Sequence, residues 1–168
     1  WDCRRCTCSN SAAALRCTAC DALHFPLPLP PLRFGVEFEL LLPNADGWNL
    51  DELARVVRSA DIDCRHEGYT HRVVPYWKVV PDRSVQGASD SDLAFELVSP
   101  ILEGEPGFDA IVRVLNTMHS WLGALCNQTT GFHVHVDASD LSLEQLRRLA
   151  ACTCKYETAL DALVADAA

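Results

Sequence analysis

Two cysteine pairs, Cys3-x2-Cys6 and Cys17-x2-Cys20, stand at the start of the chain with ten residues between them. Twenty residues short of large aliphatic side chains cannot bury a core, so this stretch needs a metal or a cross-link in order to fold. Each pair is a chelating knuckle, and two knuckles can wrap one tetrahedral Zn2+. The chain has nine cysteines, an odd number, and five of them precede residue 21 while Cys64, Cys126, Cys152 and Cys154 are scattered. That distribution favours metal ligation over a disulfide framework. A reactive or disulfide-bonded cluster is the competing reading, and the symmetric spacing, which leaves Cys8 as a fifth thiol, argues against it.

Residues 24–32, HFPLPLPPL, form a proline-rich connector that prefers extended polyproline II and acts as a stiff spacer. This places a metal-dependent module at 1–23, a linker at 24–32 and a larger domain at 33–168. The chain begins at Trp1 without Met and stops within a helical pattern at Ala168, so it reads as a piece of something longer, truncated at its C-terminus. No apolar run approaches the ~20 residues of a membrane span, and the stretch nearest to one is broken by Pro26, Pro28, Pro30 and Pro31. A net charge of −9 makes the chain a poor general binder of nucleic acid, whereas a carboxylate cluster would attract divalent cations. No secretory leader is visible, which points to a cytoplasmic or nuclear protein.

Beyond the linker, hydrophobic periodicity lays out the elements. In RFGVEFELLL, Phe34, Val36, Phe38 and Leu40 alternate with Gly35, Glu37 and Glu39, predicting a strand with one apolar face and one face bearing two carboxylates. Leu50, Leu53, Val56 and Val57 follow helical spacing behind the cap residue Asn49. The run 70–80 reads as extended chain interrupted by Pro75, and AFELVSPIL as a further strand ended by Pro100. An amphipathic helix is expected from Pro106 to Leu125, packed on the sheet. GFHVHVD alternates again, with Phe132, Val134 and Val136 opposite His133, His135 and Asp137. Ser142 and Gln145 form a capping-box pattern that opens a last helix, whose apolar stripe includes Leu146, Leu149, Ala150, Leu160 and Leu163. The order β-α-β-β-α-β-α predicts an α+β domain whose sheet keeps one wet face. Trp48, Trp121 and Tyr156 read as packing residues, and His66 and His71 as lining a cleft without catalytic work. Cys152 and Cys154 lie too far apart around their helix to form a joint site.

The wet face carries the chemistry. Glu37 and Glu39 point to the same side of one strand, Glu96 lies on a second, Asp82 in a loop, and His133 and His135 on a third. Carboxylate oxygens with an imidazole or two suit Mg2+ or Mn2+, and Mg2+ sites commonly carry nucleotide phosphates. A His-x-His strand also suggests zinc hydrolysis, but no HExxH or comparable third ligand accompanies it.

Four segments in order, FGVEFE, WKVVPDRS, ELVSP and GFHVHVD, resemble the amidoligase family, a relative of glutamine synthetase and glutamate-cysteine ligase. The resemblance implies an antiparallel, curved glutamine-synthetase-like sheet with helices packed on one face. It also implies ATP- and Mg2+-dependent joining of a carboxylate to an amine through an acyl phosphate. On that resemblance Glu37, Glu39, Glu96 and His133 would hold magnesium, with His133 or His135 contacting metal or nucleotide. Asp82 would orient the amine, and Lys78 or Arg83 would meet phosphate or a substrate carboxylate. Family members continue beyond the last helix into a strand carrying a further Glu and Arg, which this sequence lacks.

The first twenty residues, with Trp1, Cys3, Cys6, Thr7, Asn10, Cys17 and Cys20, resemble the Ran-binding-protein-type zinc finger and its ubiquitin-binding branch. That resemblance implies that the four Cys hold the zinc, that Trp1 packs under the ribbon and that Asn10 braces the loop. Ubiquitin, another protein and single-stranded RNA all remain open as ligands. Cys8 stands where those branches place Phe or another aromatic, Ala19 stands where ubiquitin binders carry a bulky apolar residue, and Arg16 is alone where RNA binders pair arginines. The expected function is therefore a ligase acting on a small-molecule or peptide substrate with carboxylate and amine groups, with a zinc finger that docks a protein. The alternative is a non-catalytic adaptor whose finger is its activity, built on a decayed ligase scaffold.

Overall fold

The computed structural model describes residues 2, 3, 6–11, 17–20 and 32–162 and divides the chain into two compact units, Trp1–Pro31 and Leu32–Ala168. Trp1, the linker prolines and Leu163 lie outside the described residues, as does the side chain of Leu160. In the larger unit, β1 (Arg33–Leu42) is followed by α1 (Leu50–Ser59), β2 (Cys64–His66), β3 (Trp77–Pro81), β4 (Leu93–Val98) and β5 (Leu102–Glu103). Then come α2 (Gly104–Leu122), β6 (Phe132–Val136) and α3 (Leu143–Asp161).

The six strands form one sheet built around β1. Phe34 is opposite both Leu102 and Val136, and Glu37 is opposite both Val98 and His133. A strand residue has one neighbour on each side, so β6 runs along one side of β1 while β4 and β5 follow one another along the other. Between β4 and β5 the chain steps aside at buried Ser99. Its hydroxyl accepts from the Val36 N–H at 2.8 Å, and its own N–H donates to the Val36 carbonyl at 2.9 Å. The sheet is mixed, which corrects the expectation of a purely antiparallel one: β2 pairs with β3 in parallel, in register Cys64–Trp77 to His66–Val79. The irregular crossover 67–76 joins them and stands where an extended run from residue 70 was expected.

The dry face of β1, Phe34, Val36, Phe38 and Leu40, meets Phe95 and Leu97 from β4, Trp77 and Val79 from β3, and side chains from α1 and α2 in one core. Leu53, Ala54 and Val57 of α1 are fully buried, as are Val114 and Met118 of α2 apart from a trace. Asn49 caps α1 through a complete capping box with Glu52, and α2 ends at Gly123 with φ +67°, the left-handed stop that glycine adopts without strain. Ser142 and Gln145 exchange the expected capping bonds at the start of α3. Packing on one face holds for α1 and α2 alone: the described side chains of α3 are exposed throughout, including Leu146 and Leu149. Trp48, Trp121 and Tyr156 are likewise substantially exposed, so they are not the core residues their type suggests.

Candidate metal and ligand site

Side chains directly opposite one another in a sheet share a face, and the register therefore sets the site. One cross-strand row on the wet face runs Lys78, Val98, Glu37, His133; the next runs Val80, Glu96, Glu39. Alternation in β1 forces its two glutamates out of the core, and the antiparallel pairing of β4 and β6 brings Glu96 and His133 to them.

Glu37, Glu96 and His133 each offer a ligand atom, and those atoms all lie within 4.8 Å of one another. His133 bridges the two glutamates of β1, with Nδ1 3.4 Å from Glu37 and Nε2 3.4 Å from Glu39, while His135 Nε2 stands 3.2 Å from Glu37. An imidazole that ligates a cation through one nitrogen and is oriented by a carboxylate through the other is the usual arrangement at metal sites. Glu39 stands beside the group: its Oε2 accepts the Gly131 N–H at 2.6 Å, fixing the turn into β6. A Cβ at position 131 would come within 2.9 Å of His133 Nε2 and 3.0 Å of Glu39 Oε2, so glycine permits this approach.

The carboxylates are electrostatically unequal. Burial, then the charge of Glu37 and a hydrogen bond with it, pushes Glu96 up to about 7, with Asp82 and Glu39 adding to the effect. Burial also acts to raise Glu37, but the hydrogen bonds of His135 and Glu96 outweigh it and hold this carboxyl below the ordinary range. The opposed shifts of these two neighbouring carboxyls mark a face with excess negative charge, the electrostatic setting that a divalent cation would relieve.

Glu37 and His135 also line a cleft of about 510 Å3. Its walls are the crossover segment His71–Val73 and the step Ser99–Ile101, and Lys78 lies in its floor. The Arg33–Asp137 ion pair, at 3.2 Å, also lines it. Such a volume suits a small-molecule ligand. Asp82 reaches the group through its charge on Glu96, and its Oδ1 also accepts from the N–H and the hydroxyl of Ser84, both at 2.7 Å. Arg83 is exposed on the same turn. Sequence reading missed Arg72, which sits in a segment without periodicity; only the parallel crossover carries it over the sheet. His66 is turned to Asp51, 3.2 Å away, and Cys64 is a buried thiol pushed up to about 12 by burial, hence unreactive.

In the smaller unit the sulfurs of Cys3, Cys6, Cys17 and Cys20 also lie within 4.8 Å of one another. The Cys3–Cys20 separation is 3.6 Å and Cys6–Cys17 is 3.4 Å. Four sulfurs at ~2.3 Å from a tetrahedral zinc stand about 3.8 Å apart, so the thiols fit that ion. Burial opposes ionisation of Cys17, but N–H groups of Ala19 and Cys20 bring it down to about 6. Cys6, despite a backbone hydrogen bond that lowers it, is pushed up to about 12 by Cys17 and the other sulfurs. Asn10 braces the loop as its position implies: its amide donates to the Cys8 carbonyl at 2.8 Å and its Oδ1 accepts the Thr18 N–H at 2.9 Å.

Residues 30–167 match the family model described as "putative amidoligase enzyme". The chain belongs to the amidoligase family. The match covers every strand and helix of the larger unit, so the acidic face and its cleft lie wholly within the amidoligase region. No curated protein matches this amidoligase chain, and no solved structure does. Among the described residues no helix is long and apolar enough to cross a membrane.

Proposed function

We propose that the larger unit is an ATP- and Mg2+-dependent carboxylate–amine ligase. The observation that carries this reading is the convergence of Glu37, Glu96 and His133 on the wet face beside a ligand-sized cleft, in a chain of the amidoligase family. In such a reaction a substrate carboxylate oxygen attacks the γ-phosphorus of ATP and the bond to ADP breaks. The amine then attacks the acyl carbon, phosphate leaves, and the ammonium proton passes to a base. Bound magnesium would neutralise phosphate charge in both steps.

Glu37, Glu96 and His133 would hold that ion. Glu39 would keep His133 and Gly131 in place, and His135 would restrain Glu37. Asp82, close enough to act on Glu96, would orient the amine, whereas Lys78, buried with its ammonium on the Thr70 and Arg72 carbonyls, is turned to the crossover loop instead of meeting phosphate or a substrate carboxylate. We further propose that the four-cysteine module carries structural zinc and docks a protein, ubiquitin being the first to test.

Calorimetric titration of Mg2+ with a non-hydrolysable ATP analogue, on the parent chain and on Glu37→Gln/Glu39→Gln, tests the ligase reading. Saturable binding that the double variant loses supports it. A variant that binds as the parent does removes the acidic face from the function.

A further inference from the structure

We propose that Arg72, carried to the cleft by a loop that buried Lys78 latches in place, binds an anionic oxygen group of the ligand, either a substrate carboxylate or a nucleotide phosphate. The inference deepens the ligase reading and rests on it for the role of the neighbouring metal group.

Lys78 lies in β3 between buried Trp77 and Val79 and is itself only 3% exposed. A buried ammonium requires partners, and this one finds two carbonyls, Thr70 at 2.7 Å and Arg72 at 2.9 Å. Both belong to the irregular crossover, which the ammonium thereby pins over the sheet. A second bond, from the Arg72 N–H to the Thr70 hydroxyl at 3.2 Å, tightens the same turn. Lys78 is thus a positioning residue, and what it positions is the pair His71 and Arg72 in the cleft wall.

The charges around that wall do not cancel locally. Among the described residues no carboxylate lies within ion-pair distance of the Lys78 ammonium or the Arg72 guanidinium, whereas Arg33 in the same cleft is matched by Asp137. Two cations therefore stand at this cleft, Lys78 in its floor and Arg72 in its wall, and Glu37 lines the same cavity. Lys78 and Glu37 stand in one cross-strand row with β4 between them, which sets their backbones about 10 Å apart. A ligand that reaches the acidic metal group with its reacting end would present a second anionic group to Arg72. Guanidinium offers the planar fork that carboxylate and phosphate both accept.

The test uses the full chain in calorimetry with four probes: succinate, inorganic phosphate, a non-hydrolysable ATP analogue with Mg2+, and Mn2+ alone. Arg72→Gln lies at an exposed position and should fold. It should weaken at least one anionic probe by about ten- to hundredfold, the worth of a charge-assisted hydrogen bond, and leave Mn2+ affinity within about twofold. Loss confined to succinate assigns the subsite to a carboxylate; loss of phosphate and the ATP analogue assigns it to the nucleotide. Lys78→Met should weaken the same probe, leave Mn2+ alone, and speed amide exchange over 70–73. Unchanged loop exchange together with unchanged anion affinity in that variant overturns the latch. Anion binding identical in Arg72→Gln and the parent, or no anionic probe bound by the parent, overturns the proposal. If the parent ignores Mn2+ but holds an anion through Arg72, the ligase reading fails and the anion subsite stands.

Discussion

Replacing Glu96 with glutamine removes the charge that the metal-free acidic face tolerates least. Burial and the neighbouring Glu37 raise this carboxyl from its ordinary 4.5 to about 7. Between those values the folded chain holds a proton that the unfolded chain has released. The contribution of Glu96 to stability is therefore most favourable at low pH and declines as the pH rises to about 7. At 1.36 kcal/mol per pKa unit the full shift corresponds to about 3.4 kcal/mol. Glu96 is only partly buried, and solvent screening reduces that to about 1–2 kcal/mol. Without added divalent cation, Glu96→Gln should be more stable than the parent by about 1–2 kcal/mol at pH 8, with the gap closing toward pH 4.5. Urea denaturation followed by tryptophan fluorescence across that range reads both ends. Added Mn2+ should reverse the order at pH 8, since it stabilises the parent and finds one ligand fewer in the variant. A glutamine variant destabilised by the same amount at every pH would refute the reasoning, because the Glu96 carboxyl would then not be raised.

Cys17→Ser should lower zinc content, measured by mass spectrometry of the metal, from one ion per chain to nearly none, because three remaining thiols leave a structural site open. Gly131→Ala should change the melting temperature little, since the atoms its methyl meets are the ends of Glu39 and His133 side chains. It should still weaken Mn2+ binding about tenfold by displacing them, and unaltered affinity would remove glycine's role in the site.

Much of the fold is legible wherever a strong period runs unbroken. β1, α1, α2 and β6 each announce themselves through alternation or helical spacing, and the caps at Asn49 and Ser142 mark where helices begin. β2 and β5 are invisible for the opposite reason: three and two residues hold no period, and they are strands only because a neighbour pairs with them. The stripe along α3 predicts a packed helix, but amphipathicity states only that a helix has an apolar side, not what covers it. At the site, the two-residue spacing of Glu37 and Glu39 and of His133 and His135 fixes which side chains share a face. Their register across β1 and β6 follows from tertiary pairing. Arg72 and the latch at Lys78 are absent from any local pattern, because a lysine flanked by core residues looks like a strand's solvent face until the crossover is seen to lie over it.

The sidestep at Ser99 separates two demands that usually conflict in a sheet. By giving its hydroxyl to the Val36 N–H and its own N–H to the Val36 carbonyl, Ser99 keeps β1 bonded at the point where β4 ends and β5 has not begun. Pro100 and Ile101 are thereby released from ladder duty and turned into cleft wall. Descendants of this chain could exchange those two residues for others of different size or polarity and leave every strand pairing intact. The shape of the cleft can drift there at little cost to foldability, while Glu37 and Glu96, locked into the register of β1 and β4, have no such freedom.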